Sequence, residues 1–551
     1  MPHTILIVGA TGLFGGHCAR ALIADGGYDV ICAGRNRVVL EREFSSRAFV
    51  LDRNDLAAVR AALLSFKPFA VLDLAGPFQL YGDEPYAFAR AVIEAGAHYI
   101  DIADAPVFVG GISALDALAK ASNVTALSGA SSTPAISSIV VDHLAKGLSE
   151  IQTIETAIVP GNRTPRGLSV MKAILSQAGQ PFALWRNGRA DMVHGWDETT
   201  RVTLKVTGMP EVSNRRAALV NTPDVALFPH RYGAKSVLFR AGLELGLFHN
   251  ALGLASKLVK YRLLKSLLPF SNLFYHAANL GIGFGSNVGG MQVRVLGTAN
   301  DGRAIERTWD LIAADGNGPK IPTQPVILAL RHLAAGKMQS GARQALGLFP
   351  LAEMEAQLAT IDAKTEIRER EVRTVFQRAL RDDFNALPEP IRALHSCLSV
   401  TKFAGQADVD GGATFVAKVI ARVVGFPKTQ KAIPVEVNLN ANEAQEIWVR
   451  IFDGKPFRSV LRQGSDLGEV IERFAALHFT IALKVQDGRL LYPAIGAKLF
   501  GILPIPKFLL PVSETSEFVD DQGRFNFDVD ISLAPFGQVV RYRGWLKHVI
   551  V

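Results

Sequence analysis

Residues 5–16 read ILIVGATGLFGG, and residues 30–37 read VICAGRNR. In the first stretch Gly9, Gly12 and Gly15 stand three apart between an apolar run and a helical pattern. Glycine at these points permits a tight turn and lets a ligand approach the backbone. The helix that follows offers unpaired N–H groups and a partial positive charge to phosphate. The stretch therefore predicts a strand, a turn and a helix that hold a dinucleotide pyrophosphate through Gly9, Thr11, Gly12, Leu13, Phe14 and Gly15.

The second stretch bears on which dinucleotide. A site for the unphosphorylated cofactor usually ends its second strand in Asp or Glu, which bonds the ribose 2′-hydroxyl. Here the strand ends in Gly34, and Arg35 and Asn36 follow. A guanidinium pairs with a 2′-phosphate where a carboxylate would repel it, so NADP is the expected cofactor. Asp52, closing the third apolar run, meets the adenine edge or caps the helix starting near Asn54; the sequence leaves both open. Ala75, Gly76 and Pro77 end the fourth run and face the nicotinamide half. Tyr99 and Asp104, at the end of the fifth, are the candidate proton donors. Ser128, Gly129, Ser131 and Ser132 end the sixth and line the crevice. No metal site is expected.

Around this constellation the first 150 residues alternate short apolar runs with helical patterns, the signature of βαβ units wound into a parallel sheet. The texture changes at Ile151 to longer alternating runs that suit an antiparallel sheet. The expected fold is α/β. A Rossmann-type parallel sheet spans 1–130 and is completed by a returning helix near 322–345, with an inserted α+β domain over 131–321. Residues 346–377, with their IRERE run at helical spacing, read as a linker or solvated face. Residues 378–551 read as a C-terminal, mainly antiparallel β domain. Its Trp448, Arg450, Arg541, Tyr542, Arg543 and Trp545 fall on alternating strands, which favours one packed and one wet face over a cavity.

Composition narrows the class. The chain has 551 residues, 49% hydrophobic and 20% charged, which suits several folded domains. Its formal charge of +8 comes without a basic and aromatic module, so no nucleic-acid partner is expected. The three cysteines, Cys18, Cys32 and Cys397, are too few for a disulfide framework and fit a reducing cytoplasm. The N-terminal residues lack a signal-peptide pattern, and no run is apolar enough to span a bilayer. The segment 250–275, with Lys257, Lys260, Arg262 and Lys265, reads as an amphipathic helix packed on the domain or as a peripheral membrane contact. Tyr261 and Lys265 alone have the Tyr-x-x-x-Lys spacing of short-chain reductases, and they fall in this insert rather than past the sixth strand. No nucleophile elbow or His-Glu-x-x-His helix is present.

Taken in order, VGATGLFGG, AGPF, HYIDIAD, SGASSTPAISS, PGNRTPRGLSVMKAILSQAGQP, NTPDVALFPHRYG, GSNVGGMQVRVLG and GPKIPTQPVILAL resemble the saccharopine dehydrogenase-like family of NADP-binding reductases, over nearly all of residues 3–348. The resemblance implies a Rossmann domain with a substrate or dimerisation domain inserted before a returning helix, and hydride transfer to or from a carbonyl or imine carbon. Family members often carry a glycine and glutamate after HYIDI, where this chain has Ala103, Asp104, Ala105 and Pro106, so no role is carried over for that glutamate. The stretch from about Arg378 resembles an uncharacterised domain found fused to such reductases. The expected substrate is a small molecule of apolar or lipid-like character, and a homodimer is expected. The rival reading is a non-catalytic dinucleotide-binding or lipid-associated scaffold.

Overall fold

The computed structural model describes residues 2–398, 400–534 and 536–549. It divides into two compact units, residues 1–370 and 371–551.

The first unit begins with β1 (His3–Val8), whose side chains alternate between two layers: Ile5 and Ile7 enter one buried cluster, Leu6 and Val8 the other. A strand apolar on both faces needs helices on both sides, and these follow. Next come α1 (Leu13–Asp25), β2 (Tyr28–Gly34), α2 (Arg37–Phe44), β3 (Ala48–Val50), α3 (Leu56–Phe66), β4 (Ala70–Asp73), α4 (Ala87–Glu94), β5 (His98–Asp101) and β6 (Thr125–Ser128). Pairing is parallel throughout, in the order β3-β2-β1-β4-β5-β6, and the chain reverses direction across the sheet between β1 and β4. Ligands bind at such a switch point, beyond the carboxyl ends of the strands.

Two features differ from the sequence expectation here. Gly341–Gln344 adds a seventh parallel strand beside β6, although GARQ has no apolar run to announce it. The returning helix itself is Gln324–Ala334.

The second sheet of this unit is mixed rather than purely antiparallel. Its central β7 (Leu148–Val159) pairs antiparallel with Gly289–Ala299 and parallel with Ser236–Leu243. The parallel step needs a long crossover, and helices Leu168–Gln177 and Pro223–Tyr232 lie within it. Residues 346–377 are not a linker. Leu351–Ala359 forms a helix packed into the main core, and Lys364–Glu371 is the edge strand of the mixed sheet. The IRERE charges answer partners on the neighbouring strand, Arg307 with Glu369 at 2.7 Å and Arg370 with Glu306 at 2.8 Å. Charge on an edge strand blunts pairing with other chains, which explains a run that resembles a solvated helix in sequence.

The second unit opens with short helices Val375–Leu380 and Glu389–His395, then a long antiparallel sheet from Val400–Gly411 to Gly537–His548 that carries one helix, Phe415–Val424.

Candidate functional site

The glycine turn is built by close approach. The Gly9 and Ala10 N–H groups both donate to the Ala33 carbonyl at 3.0 Å, tying the turn to β2. Gly9 has a φ of +86°, and a Cβ there would lie 2.7 Å from the Leu74 oxygen. A Cβ on Gly15 would lie 2.1 Å from the Gly9 oxygen, so only glycine lets α1 start this close to the strand. Gly12 caps α1 with extended backbone and no side-chain acceptor, which leaves the first-turn N–H groups of Leu13, Phe14 and Gly15 for an external anion. The loop before helix Leu168–Gln177 reaches this point: Gly167 sits where a Cβ would be 3.5 Å from the Leu13 Cβ. A pyrophosphate fits this cradle, because the helix start is open and the turn is held from behind by the protein's own backbone.

At the end of β2, Gly34 lies against the Thr11 hydroxyl, so the glycine turn and the position expected to select the ribose adjoin one another. Arg35 is exposed there and makes no ion pair among the described residues. Arg37 turns instead to Glu41 at 3.3 Å. The Asn36 side-chain Oδ1 accepts from the Val39 N–H at 3.2 Å and caps α2, a structural task that competes with the cofactor contact expected of it. Asp52 caps no helix. Its carboxylate accepts from the Asn54 N–H at 3.0 Å, and the cap of α3 belongs to Asp55.

Ala75, Gly76 and Pro77 leave β4 at the crevice, and a buried carboxylate organises them. Asp73 accepts from the Ala75 N–H at 3.2 Å, from the Tyr81 hydroxyl at 3.1 Å and from the Tyr99 hydroxyl at 3.2 Å. Burial raises its carboxyl, opposed chiefly by the charge of Arg53, whose guanidinium stacks 3.3 Å from the centre of the Tyr81 ring. Sequence reasoning missed Asp73, Tyr81 and Arg53. The one signal was a carboxylate ending an otherwise apolar strand in AVLD.

Tyr99 is therefore withdrawn as a proton donor. It is 1% exposed, packs in the layer with Phe88 and Val92, and its phenol is pushed well above the usual range, first by burial and then by Asp101 and Asp73. Asp104 stands differently. It is half-buried just past β5, its carboxyl is raised by burial, and Gln79 donates to it at 2.9 Å. Since Gln79 follows the Gly76–Pro77 turn by two residues, this bond places an acid beside the loop expected to face the nicotinamide.

Asp101 joins the ends of β5 and β6. It is fully buried and accepts from the Ala103 N–H at 2.9 Å, the Gly129 N–H at 2.8 Å and the Ser128 hydroxyl at 3.0 Å. Burial still dominates and pushes its carboxyl up to about 7. Ser128 and Gly129 thus serve this lock. Nearby, Thr133 and Ser137 both donate to buried Asp224, Ser137 at 2.9 Å, so these two hydroxyls are engaged within the protein.

In the insert, helix Gly246–Lys260 packs Leu252 and Val259 inward, yet Leu254, Tyr261 and Leu263 are each more than 60% exposed beside exposed Lys257, Arg262 and Lys265. Lys260 departs from the expected basic cluster and pairs with Asp197 at 2.6 Å. Among the described residues no helix is long and apolar enough to cross a membrane.

Residues 5–127 match the family model of the saccharopine dehydrogenase NADP binding domain, and residues 387–546 match DUF4166, a domain of unknown function. No curated protein matches the chain. Among solved structures, a saccharopine dehydrogenase (L-Glu forming) from Saccharomyces cerevisiae is 12% identical, with a TM-score of 0.47, over 67% of this chain and 100% of that one. GenD2 from gentamicin A biosynthesis, in complex with NAD, is 14% identical with a TM-score of 0.31, over 67% of this chain and 96% of that one. A meso-DAPDH variant with DAP, from Clostridium tetani, is 12% identical with a TM-score of 0.34, over 65% and 98%. The matched NADP-binding domain and the cradle at Gly9 to Gly15 support a dinucleotide-dependent oxidoreductase.

Proposed function

We propose that residues 1–370 form an NADP-dependent reductase that acts on a carbonyl or imine carbon of a small, apolar substrate in the cytoplasm. The observation that carries this reading is the adjacency of Thr11 and Gly34, which brings unpaired Arg35 to the edge of the pyrophosphate turn with no carboxylate in its place. The dinucleotide, when bound, supplies or accepts the hydride. The chain's own residues do the rest. The α1 start and Gly12 bind the pyrophosphate, and Arg35 binds the 2′-phosphate. Asp73 holds the Ala75–Pro77 loop in place. Asp104, kept protonated to higher pH by its burial, gives a proton to the substrate oxygen or nitrogen.

Titration of the full chain with NADPH and NADH, followed by tryptophan fluorescence, tests this. Tighter binding of NADPH by about tenfold or more is expected. No response to either dinucleotide refutes the proposal.

A second reading concerns where the protein acts. The exposed leucines and Tyr261 of the insert, flanked by Lys257, Arg262 and Lys265, favour peripheral contact with an anionic membrane surface.

A further inference from the structure

The sheet of the second unit curves around a hollow instead of packing flat. A cavity of about 270 Å³ lies inside it, close to the lower end of the roughly 300–1,000 Å³ that small-molecule sites span. Its wall is chiefly apolar, aliphatic side chains alternating with the rings of Trp448, Phe452, Phe474, Phe479, Phe527 and Tyr542. This differs from the packed face expected of these strands. Trp448, Arg450 and Tyr542 point to the hollow, whereas Arg541 pairs with Asp528 at 2.7 Å and Trp545 lies under the Arg524 guanidinium at 4.9 Å, both away from it. Leu509 borders the cavity and is also 42% exposed, so it marks a mouth.

The ionisable groups on the wall decide what the cavity takes. Arg450 donates to the Ser459 hydroxyl at 2.7 Å and lies 3.5 Å from a Glu472 oxygen. Glu517 lies 2.7 Å from the ring nitrogen of His395, a histidine whose protonated form Glu517 favours. Each charge is therefore answered from within the protein. An ionised ligand would find no counter-charge among these rings, and burying it there is strongly unfavourable. A guanidinium has about five N–H donors, however, and Ser459 and Glu472 leave several of those on Arg450 without an acceptor among the described residues. A neutral oxygen would satisfy them.

We propose that this cavity binds an uncharged, lipid-like molecule whose hydroxyl or carbonyl oxygen accepts from Arg450 while its apolar body fills the hollow. Neither the cofactor nor residues 1–370 enter the proposal, so it stands or falls apart from the reductase reading.

The experiment uses the full chain, stripped of bound lipid, without dinucleotide, and the uncharged fluorophore N-phenyl-1-naphthylamine as probe. Saturable one-to-one binding is expected. Hexadecan-1-ol should displace the probe at a concentration about tenfold lower than hexadecanoate or hexadecyltrimethylammonium. Two substitutions, Ala494→Phe and Ala497→Trp, each fill the cavity from its wall and should weaken the probe by about tenfold or more while leaving NADPH titration unchanged. The Arg450→Met/Glu472→Met pair, which removes both charges together, should keep the probe and lose the advantage of the alcohol over hexadecane. Absence of saturable binding in the wild type overturns the proposal, as does undiminished binding in either folded cavity-filling variant. Displacement by hexadecanoate at the same concentration as the alcohol overturns the assignment to an uncharged ligand. Should neither filled variant fold, the wild-type order of displacement decides alone.

Discussion

The Tyr99 hydroxyl reaches the Asp73 carboxylate at 3.2 Å across a diagonal of the parallel sheet, for the residue in register with Tyr99 is Val71, two positions earlier on β4. Same-face diagonal neighbours of this kind are within reach of aromatic side chains. The bond is one of several that fix the loop leaving β4, and the oxygen that accepts it is buried. Tyr99→Phe should cost about 1 kcal/mol in denaturant unfolding, leave NADPH binding within a few-fold of the wild type and leave carbonyl reduction in place. Asp104→Asn should do the opposite, with stability nearly kept and the reduction step slowed by about a hundredfold or more. Loss of reduction in Tyr99→Phe with its stability unchanged would return the tyrosine to the catalytic role.

Asp101 makes stability depend on pH in a direction that can be worked out. Its carboxyl is pushed from an ordinary 3.8 up to about 7, so the folded protein holds a proton that the unfolded chain releases. That contribution is complete below about pH 4 and lost as pH rises through about 7. Asp101→Asn carries no such proton. Relative to the wild type, the variant should gain about 2 kcal/mol between pH 5 and pH 8 in chemical denaturation. A constant difference across that range would show that Asp101 is ionised in the fold.

Gly15→Ala places a methyl carbon against the backbone oxygen of Gly9, which cannot retreat without opening the turn. The expected cost is about 2 kcal/mol or more in stability, with NADPH binding lost. Differential scanning calorimetry and cofactor titration together read both effects.

On the proposed role of Arg35, Arg35→Ala should weaken NADPH by about tenfold and leave NADH unchanged, since a guanidinium placed for the 2′-phosphate addresses only that group. Equal loss of both would place the residue on the pyrophosphate instead.

Flotation with vesicles containing phosphatidylserine examines the insert. Wild type should float, and a Lys257→Gln/Arg262→Gln/Lys265→Gln variant should lose most of that binding. Lys260→Gln should float as the wild type does, because Lys260 is already paired with Asp197. Each lysine or arginine near such a surface is worth about 1 kcal/mol. Equal flotation of all three proteins removes the electrostatic part of the reading.

What could be read from the sequence was whatever a short window contains. The Gly9, Gly12 and Gly15 spacing is local, and the fold does set it in a tight turn between β1 and α1; the absence of an acid after Gly34 is equally local. The central strands of the first sheet, β1, β4, β5 and β6, announce themselves because a strand buried on both faces is largely apolar; β3, at the sheet's edge, shows only as the short run AFV. Tertiary facts were silent. Nothing in HYIDIAD tells that Tyr99 points to Asp73, since that depends on which strand lies beside β5. The Lys364–Glu371 edge strand looked like a charged linker because its partners, Glu306 and Arg307 among them, lie some sixty residues away. The hollow of the second unit shows the same limit: alternation identifies an inward face without telling whether the inside is filled.

The pairing of Gly341–Gln344 with β6 has a consequence for how the protein is made. The Gly341 N–H donates to the Val124 carbonyl, the Ala345 N–H to that of Ser128, and the Thr125 hydroxyl to the carbonyl of Gln339. Until the ribosome has released some two hundred further residues, β6 stands as an open edge with unmet backbone groups. The nucleotide-binding layer is thus finished late, after all but the Lys364–Glu371 edge strand of the mixed sheet that interrupts it. A fragment cut after β6 should expose that edge to strand pairing with its own copies.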